Sequence, residues 1–523
     1  MSDGPPVPRW ARAAAVLLGA ALYALALPPW DWAWLGWVAL VPLLVVVRPL
    51  PVGQAFTYGV LYGCACPWAI GPWLAQAMGR YFALGLPLGV VAASLYAVVF
   101  WGAAFGLFSA GTVILLRPER SLAARLAVPA LWVAIELLRA RVLGQPWGLL
   151  GYTQYTHTAL IQVAALTAVY GVSFLLAFSN TAIAEAIALV AARASTRQVL
   201  ATLALPLVLV LPVWAAGALV AERGPIGGFN AHPVAVLQTN VAPASEWTPA
   251  YTDRQVMAHI QATDRLPVTL RPALIVWPEH AVPRYLEDEP MLAAQLAALA
   301  TRHGADLLFG GPRYQAGRTY NSVRLITAAG RNGGYYDKQR LVLGAEANPF
   351  LPSRPAAENE SPRQFSAGTA PAVLKSFLPL GVSICHEILF PELASRAVNA
   401  GAEVLVNVSN DGWLDGGSGV ASRQHFAMAV FRAVETRRYL VRAATTGVSG
   451  IVDPYGRIVT RLEPGASGVL TASVAGRSTL TPYVCLGDAF GFACVLAAAA
   501  ALRGRRAALF RSYPRIASAR HPS

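Results

Sequence analysis

The segment Gly381-Val382-Ser383-Ile384-Cys385-His386-Glu387 is a short apolar run that stops at a cysteine followed by two polar residues. A run of this length and composition is typical of a buried β-strand. A strand that ends in this way can present a thiol at the edge of a sheet, beside backbone N–H groups. The segment therefore predicts a buried sheet and a candidate nucleophile, Cys385. A cysteine packed in the core is the alternative interpretation.

Similar apolar runs recur between residues 222 and 484, with helical patterns between them. The predicted strands are 234–238, 274–277, 307–309, 323–327, 381–385, 404–408, 439–444 and 468–474. The predicted helices are 292–303, 391–400 and 424–435. This alternation indicates a layered α/β domain.

The remainder of the chain is much more apolar. The 523 residues are 55% hydrophobic and only 13% charged, which excludes a disordered chain. At about 1.5 Å per residue, several apolar runs can cross a hydrocarbon core about 30 Å thick. The predicted spans are 11–27, 34–47, 55–74, 84–116, 122–143, 159–190, 199–221 and 485–502. The predicted organisation is a membrane domain with seven transmembrane helices (1–221), an exported domain (222–484), an eighth helix (485–502) and a basic cytoplasmic tail (503–523).

Two alternatives stay open for the membrane half. The first run could be a signal peptide, because Ala24-Leu25-Ala26 resembles a cleavage site after a basic start. The runs 84–116 and 159–190 are long enough to form two short helices each. If only one of them were divided, the domain 222–484 would lie on the other side of the membrane.

The distribution of arginine predicts the orientation, because cytoplasmic loops carry an excess of Lys and Arg. With eight spans and both termini in the cytoplasm, fourteen arginines lie on the cytoplasmic side and three in the short opposite loops. The domain 222–484 is then periplasmic. It carries 24 basic and 21 acidic residues, so the net charge of +14 belongs mainly to the membrane half and the tail. We therefore expect no nucleic-acid partner.

Two further residues in this domain are candidates for catalysis. Glu279, in Trp277-Pro278-Glu279, lies where an apolar run ends. A carboxylate at such a strand end can serve as a general base; an exposed glutamate in a turn is the alternative. Lys338 is one of only two lysines beside 39 arginines. This choice suggests a need for a compact ammonium that can stabilise an oxyanion, although a solvated surface lysine is equally compatible. Together with Cys385 they suit acyl transfer. The sequence has no metal-binding spacing of Cys and His, and we expect neither a metal nor a cofactor.

The order and spacing of Glu279, Lys338 and Cys385 resemble the Glu-Lys-Cys triad of the nitrilase, or carbon–nitrogen hydrolase, superfamily. Further motifs narrow the resemblance to the apolipoprotein N-acyltransferases. These motifs are Leu237-Gln238-Thr239-Asn240 with Trp247, Tyr320-Asn321-Ser322, Phe390-Pro391, Asn407-Val408-Ser409-Asn410-Asp411-Gly412-Trp413, Arg432 with Glu435, Pro146-Trp147-Gly148 and Gly151-Tyr152. The resemblance implies a polytopic α-helical membrane domain of eight spans and an inserted nitrilase-like α-β-β-α sandwich.

The resemblance also implies a function. Cys385 would take an acyl chain from a phospholipid as a thioester and pass it to the α-amine of a diacylglyceryl-modified lipoprotein. Glu346 and Glu387 match supporting positions of the family. The enzyme would be a monomer in the bilayer of the bacterial inner membrane. A membrane-tethered amide hydrolase with the same triad is the alternative.

Some positions depart from the family pattern or have open roles. His386 stands where the family usually has tyrosine, and Leu343-Gly344-Ala345-Glu346 replaces Pro-Phe-Gly-Glu. Trp247 is expected to contact substrate. Segments 344–352 and 413–419 are predicted to be mobile lids, carrying Phe350, Leu351, Trp413 and Leu414; contact with the domain core is the alternative. Glu136 and Arg139 are predicted to form an intramembrane ion pair, with contact to a lipid head group as the other option.

Overall fold

The computed structural model describes residues 7–82, 84–116, 121–222, 230–244, 247–267, 269–347, 364–369 and 373–512. Its α-helices are α1 Arg9–Leu25, α2 Val41–Val47, α3 Val52–Ile70, α4 Trp73–Tyr81, α5 Gly85–Tyr96, α6 Ala103–Leu116, α7 Leu122–Leu137, α8 Thr158–Ile161, α9 Ala164–Thr167, α10 Val169–Ala191, α11 Thr196–Ala221, α12 Pro249–Asp264, α13 Pro290–His303, α14 Pro391–Asn399, α15 Gly412–Asp415, α16 Val420–Thr436, α17 Pro482–Leu486 and α18 Ala489–Ser512. Its strands are β1 Ala231–Gln238, β2 Leu274–Val276, β3 Asp306–Gln315, β4 Arg318–Ile326, β5 Asn332–Asp337, β6 Val373–Lys375, β7 Pro379–Ile384, β8 Val404–Ser409, β9 Tyr439–Ala444, β10 Ser449–Val452, β11 Ile458–Leu462 and β12 Gly468–Ala475.

The strands form two six-stranded sheets, in the orders β12-β1-β2-β3-β4-β5 and β11-β10-β9-β8-β7-β6. In each sheet three central strands are parallel, namely β1, β2 and β3 in the first and β7, β8 and β9 in the second. All eight predicted strands and all three predicted helices are present, with bounds shifted by a few residues. The structure adds α12, the short helices α15 and α17, and the strands β5, β6, β10 and β11.

Three apolar clusters define the layers of the domain. One lies between the two sheets, and a second lies between the first sheet and the helices α12 and α13. The third covers the outer side of the second sheet with α14 and α16, and it continues without interruption into the core of the membrane half. The two-sheet sandwich therefore rests on the membrane half through its α14 and α16 layer.

Three helices are long and apolar enough to cross a membrane, among the residues that the structure describes. They are Gly85–Leu116, which combines α5, a π-type turn and α6, then Val169–Ala191 and Thr196–Ala221, with mean hydropathies of 2.0, 1.8 and 2.3. The helical, apolar N-terminal region is thus confirmed. The count of eight spans stays a prediction.

Four predicted spans differ from the observed helices, and two of them are simply divided: 55–74 between α3 and α4, and 485–502 between α17 and α18. Residues 34–47 form a 3-10 turn (Ala33–Trp37) and the short helix α2. The run 159–190 begins with the short helices α8 and α9, and the long helix α10 starts only at Val169. The break falls at Ala168, whose φ of 53° lies in the left-handed region and interrupts the helical hydrogen bonds.

The predicted ion pair between Glu136 and Arg139 is wrong. No ion pair joins them in the described structure, where each binds the backbone of the loop that follows α7. Glu136 Oε1 accepts a hydrogen bond from Leu150 N at 2.7 Å, and Arg139 Nη2 donates to the Trp147 carbonyl at 3.1 Å. A π-type turn begins at Leu138 and alters the angular spacing of the two side chains. Both residues therefore position the 147–150 loop.

Candidate active site

The three predicted catalytic side chains lie at the ends of three strands that the two packed sheets bring together. Glu279 follows β2, Lys338 follows β5 and Cys385 follows β7. All three are buried, with Lys338 only 1% exposed and Cys385 9%. Strand ends that meet at one edge of a layered α/β fold are the usual place for a site. The fold thus brings together residues that are far apart in the chain, since Glu279 and Cys385 are separated by more than 100 positions.

The Glu279 carboxylate is held by three hydrogen-bond donors. Its Oε1 accepts from Asn321 Nδ2 at 2.8 Å and from Lys338 Nζ at 3.4 Å, and its Oε2 accepts from Asn410 N at 2.8 Å. Asn321 lies on β4, and Asn410 follows β8. Donors from both sheets therefore fix one carboxylate beside the thiol.

Lys338 lies between two carboxylates. Its Nζ donates to Glu346 Oε1 at 2.8 Å and, more weakly, to Glu279 Oε1 at 3.4 Å. Burial alone would lower the pKa of Lys338, but the carboxylates of Glu346 and Glu279 outweigh it and raise the pKa well above its usual value. The same ammonium helps to lower the pKa of Glu346, against the effect of burial. Lys338 therefore stays protonated, and Glu346 stays ionised.

Cys385 occupies a strained turn at the end of β7. Its φ is 51°, a conformation that costs energy for any residue other than glycine. The turn is held by Asn407, whose Nδ2 donates to the Cys385 carbonyl at 3.3 Å. Burial, followed by the negative charge of Glu279, raises the pKa of the Cys385 thiol to about 12, although Lys338 opposes the shift. The resting thiol is therefore protonated and needs a base before it can attack a substrate.

Glu387 does not point at the nucleophile but holds two segments together. Its Oε2 accepts from Ile384 N at 2.8 Å, and its Oε1 accepts from Gln339 N at 2.7 Å and Arg340 N at 3.0 Å. Tyr336 Oη also donates to it at 3.0 Å. Burial raises the pKa of Glu387 in spite of these donors. This carboxylate ties the turn of Cys385 to the segment that carries Lys338.

Two histidines and a tryptophan form part of the surroundings of the site. His280, with a φ of 54°, packs edge to face against Trp247 at 5.1 Å and stacks on Phe365 at 6.2 Å. His386 packs against the edge of Phe390 at 5.6 Å. Burial lowers the pKa of both imidazoles, that of His386 to about 3. Both are neutral at physiological pH, and Trp247 contacts His280 beside the base.

The predicted lid residues Trp413 and Leu414 lie in α15, half-buried against α4 of the membrane half. Arg80 Nη1 donates to the Trp413 carbonyl at 3.2 Å. Gly344 packs directly against the ring of Phe82, which leaves no space for a Cβ at this position. Both predicted lids thus touch the end of α4. Phe350 and Leu351 lie outside the described residues.

A buried charged group, formed by Asp411, Arg442 and His425, was not predicted from the sequence. Asp411 accepts from Arg442 Nη2 at 2.8 Å, and its Oδ1 lies 3.0 Å from His425 Nδ1. Although burial acts to raise it, Arg442 and His425 hold the pKa of Asp411 well below its usual range. Arg442 also donates to Asn407, which supports Cys385. Asn321 and Asn410 were also missed as site residues, although the sequence motifs that contain them were recognised.

Gln424, at the start of α16, fastens this group to the membrane half. Its Oε1 accepts from Trp147 Nε1 at 2.9 Å, and its Nε2 donates to the carbonyls of Pro28 at 2.9 Å and Ile70 at 2.7 Å. The Trp147 ring also packs against His425 at 5.7 Å. Three separate segments of the membrane half therefore satisfy the hydrogen-bonding groups of the buried Gln424 side-chain amide.

The arrangement can deprotonate a thiol, stabilise an oxyanion and exclude water. Within the described residues, no group of three or more His, Cys, Asp or Glu side chains could hold a metal ion. A two-sheet α/β sandwich with a carboxylate, an ammonium and a thiol at its strand ends defines a domain of the carbon–nitrogen hydrolase class. Residues 233–483 match the profile of that class, described as carbon-nitrogen hydrolase.

The membrane half narrows the assignment. Residues 19–182 match the profile of the apolipoprotein N-acyltransferase N-terminal domain. An apolipoprotein N-acyltransferase of Geobacter metallireducens is 34% identical to the chain, covering 97% of it and 98% of that protein. The corresponding protein of Methylococcus capsulatus is 32% identical over 90% of this chain and 92% of its own. The chain belongs to the apolipoprotein N-acyltransferase family and is an acyltransferase.

Among solved structures, Nit3 of Saccharomyces cerevisiae, a member of branch 10 of the nitrilase superfamily, aligns with a TM-score of 0.36. The two are 19% identical over 47% of this chain and 90% of that one. A likeness at this level adds nothing to the family assignment.

Proposed function

We propose that this enzyme transfers an acyl chain from a phospholipid to the N-terminal α-amine of diacylglyceryl-cysteine lipoproteins, through a thioester on Cys385. The observation that carries the proposal is the grouping of Glu279, Lys338 and Cys385 in a buried site that borders the apolar membrane half. The thiol is protonated at rest, and a fixed carboxylate and a permanently charged ammonium lie beside it.

In the first half-reaction Glu279 takes the thiol proton, and Cys385 Sγ attacks the ester carbonyl of the phospholipid. Lys338 has three N–H donors, of which two are directed at Glu346 and Glu279. The third is available to the oxyanion of the tetrahedral intermediate. When this intermediate collapses, the C–O bond breaks and the lysophospholipid oxygen takes the proton from Glu279. The acyl chain remains on sulfur as a thioester.

In the second half-reaction the neutral α-amine of the lipoprotein attacks the thioester carbonyl. Glu279 takes a proton from the attacking nitrogen, the C–S bond breaks and the sulfur recovers that proton. The products are an amide and the original thiol, so the enzyme returns to its starting state. Glu346 keeps Lys338 charged throughout, and Glu387 keeps the turn of Cys385 in register with Lys338.

Water must not reach the thioester before the amine does. Cys385 is only 9% exposed in the described structure. We propose that 344–352 and 413–419 act as lids that open at the end of α4. Trp413 and Leu414 would then meet the acyl chains of substrates, and Trp247 would meet substrate beside the base.

We further propose a multi-pass protein of the bacterial inner membrane, with eight spans, both termini in the cytoplasm and the catalytic domain in the periplasm. Contacts of the loop arginines support this orientation. Arg80 donates to Trp413, and Arg141 pairs with Glu392 and Asp488. Arginines assigned to the periplasmic loops therefore contact the catalytic domain or the segment next to it. The partners would be a phospholipid donor and a lipoprotein acceptor in the bilayer, with the enzyme acting as a monomer.

Mass spectrometry of the purified enzyme mixed with phospholipid tests the proposal. We expect a mass increase of one acyl chain on Cys385, absent in Cys385→Ala. A diacylglyceryl-cysteine peptide should discharge it, whereas incubation in buffer alone should not. Cys485→Ala is the matched control, because this exposed cysteine lies outside the site and its variant should acylate normally.

The same experiment separates the transferase from a membrane-tethered amide hydrolase. Release of the acyl group as a free fatty acid in buffer, at the same rate with and without the peptide, would refute the transferase. Absence of any acyl adduct in the wild-type enzyme would contradict the thioester step itself.

A further inference from the structure

A cavity lies away from the catalytic thiol, where α11 meets the catalytic domain. It has a volume of about 410 Å³, which is within the range of ligand-binding sites. One wall comes from α9 and the C-terminal part of α11. The opposite wall comes from Arg437 and Tyr455 and from the segment Arg477–Pro482 that leads into α17. The cavity thus lies at the junction of an apolar helix and a polar domain.

The polar side of this cavity is positively charged. Arg437 and Arg477 both line it, and no aspartate or glutamate does among the described lining residues. The Nη1 atom of Arg477 is buried and has no hydrogen-bond partner in the described structure. A buried guanidinium N–H without an acceptor is costly, which indicates that an acceptor is missing from this place. The matching ligand group is an anion.

The position of Arg437 is fixed by its neighbours. Its Nη1 donates to Gln162 Oε1 at 2.5 Å and to the Pro454 carbonyl at 3.0 Å, and its guanidinium lies 5.2 Å from the centre of the Tyr455 ring. Gln162 also donates to the Tyr455 carbonyl at 2.8 Å. This bonding bridges α8 and the catalytic domain and holds a second cation at the cavity.

The other side of the cavity is apolar and continues onto a surface of the same character. Val163, Leu166, Val213 and Val220 line it. Leu166 is 55% exposed, and only 11% of the most apolar window of α11 is buried within the protein. On a membrane-spanning helix such a surface is covered by lipid chains. The cavity therefore has a cationic end and an apolar side that opens toward the hydrocarbon.

The cavity is separate from the active site. Arg437 follows the C-terminal end of α16, whereas His425, in the group below Cys385, lies in its first turns. Twelve residues of helix separate the two, which is roughly 18 Å. A ligand in this cavity would not touch the reacting atoms.

We propose that this cavity binds a phospholipid that is not a substrate, with its phosphate at Arg477 and Arg437 and one acyl chain along α9 and α11. The proposal rests on the membrane placement proposed above. Charge-assisted hydrogen bonds from guanidinium groups to phosphate are strong and geometrically specific. The bound lipid fills the gap between α11 and the catalytic domain and stabilises their contact.

A photoreactive phosphatidylglycerol with a diazirine on one acyl chain tests the proposal in vesicles that contain the full-length enzyme. After irradiation, mass spectrometry identifies the labelled peptides. We expect labelling of peptides from residues 163–166 and 213–220 in addition to peptides near Cys385. Arg477→Gln should reduce labelling of the first group at least fivefold and leave labelling near Cys385 unchanged. Arg318→Gln, at an exposed arginine on β4, is the matched control and should label like the wild type.

A steric variant keeps the test independent of the charge change. Val213→Trp fills the cavity and should abolish labelling of 163–166, whereas Leu211→Trp, on the lipid-exposed face of α11, should not. Excess unlabelled phosphatidylglycerol should compete with the probe, and diacylglycerol or inorganic phosphate should not.

Equal labelling of 163–166 in wild type and Arg477→Gln, or equal competition by diacylglycerol, would overturn the proposal. If inorganic phosphate competes with the probe and unlabelled phosphatidylglycerol does not, the cavity binds an anion and not a phospholipid. Acyl transfer to Cys385 is measured on the same samples. A loss of cavity labelling with intact acyl transfer, or the reverse, therefore distinguishes a failure of this proposal from a failure of the proposed function.

Discussion

Glu279 and Glu346 accept hydrogen bonds from the same nitrogen atom, Nδ2 of Asn321, at 2.8 and 2.7 Å. Both carboxylates also contact the Lys338 ammonium. Two buried carboxylates this close together repel one another unless positive charge and donors lie between them. Asn321 and Lys338 supply these, so the proposed base and its supporting acid form one unit.

Replacing Asn321 with leucine should disrupt this unit. The change keeps the size of the side chain but removes a donor from two buried carboxylates, at a cost of about 1–3 kcal/mol. We expect acylation of Cys385 to slow at least about tenfold, since about 1.4 kcal/mol corresponds to a factor of ten. Single-turnover acylation rates check this. Ser322→Ala, the neighbour that bonds Asp337 instead, is the control, and equal rates for the two variants would contradict the role of Asn321.

The Glu279→Gln variant should separate thiol reactivity from catalysis. Because the negative charge of Glu279 helps to raise the pKa of Cys385, removing it should lower that pKa and increase the thiolate fraction at any given pH. Alkylation of Cys385 by iodoacetamide should then become faster, whereas acylation by phospholipid should be lost with the base. Peptide mass spectrometry measures both reactions. Parallel slowing of alkylation and acylation would show that Glu279 does not act on the thiol in this way.

The pH dependence of alkylation follows from the same pKa. In the wild type, a thiol with a pKa of about 12 should react in proportion to hydroxide concentration. The rate should therefore rise without a plateau between about pH 8 and 10. A plateau in that interval would mean that the thiolate is already formed near neutral pH, and the need for a base would disappear.

Glu387→Gln should impair stability and catalysis together. The carboxylate accepts from three backbone N–H groups and from Tyr336, and an amide places its own N–H groups against some of these donors. We expect a loss of about 2–4 kcal/mol in unfolding free energy, with slower acylation. Tyr336→Phe removes only one donor and should have a much smaller effect. Thermal unfolding in detergent and acylation rates check both variants. A Gln variant as stable and as active as Tyr336→Phe would exclude the proposed positioning role.

Aspartate at Trp413 and Leu414 should impair turnover on phospholipid vesicles much more than acyl transfer from a water-soluble ester. A charge on a segment that enters the membrane interface disfavours that position, whereas chemistry at Cys385 is untouched. The ratio of the two activities is the measurement. Equal losses with both substrates would show that these side chains stabilise the fold and do not act as a lid.

The strand pattern of the catalytic domain was predictable because buried strands at 234–238, 404–408 and 439–444 are nearly pure apolar runs between polar segments. The missed strands β10 and β11 are short and carry Ser449, Gly450 and Arg461, which hide the apolar pattern. Glu279 and Cys385 became candidates because each follows an apolar run, whereas Lys338 was singled out only because lysine is so rare beside arginine. Asn321 lies within β4, and its role depends on pairing with β3, which no local pattern reveals.

The membrane half was less accurately predicted for a similar reason. Composition gives the length of an apolar run but does not locate a break such as the one at Ala168. That break depends on a partner from the other domain, since Val169 N donates to the Glu435 carboxylate at 3.2 Å. Likewise, Glu136 and Arg139 have the spacing of a helical pair, and only the folded chain shows that each binds the following loop instead.

The contacts of Gln424 have a consequence for how the enzyme is made. Pro28, Ile70 and Trp147, which satisfy its amide, all precede it in the chain and therefore leave the ribosome before it does. The first turn of α16, and with it the support below Cys385, can reach its final bonding only when those three segments already stand in their places. The final geometry beside the reactive thiol therefore depends on segments of the membrane half that are synthesised before it.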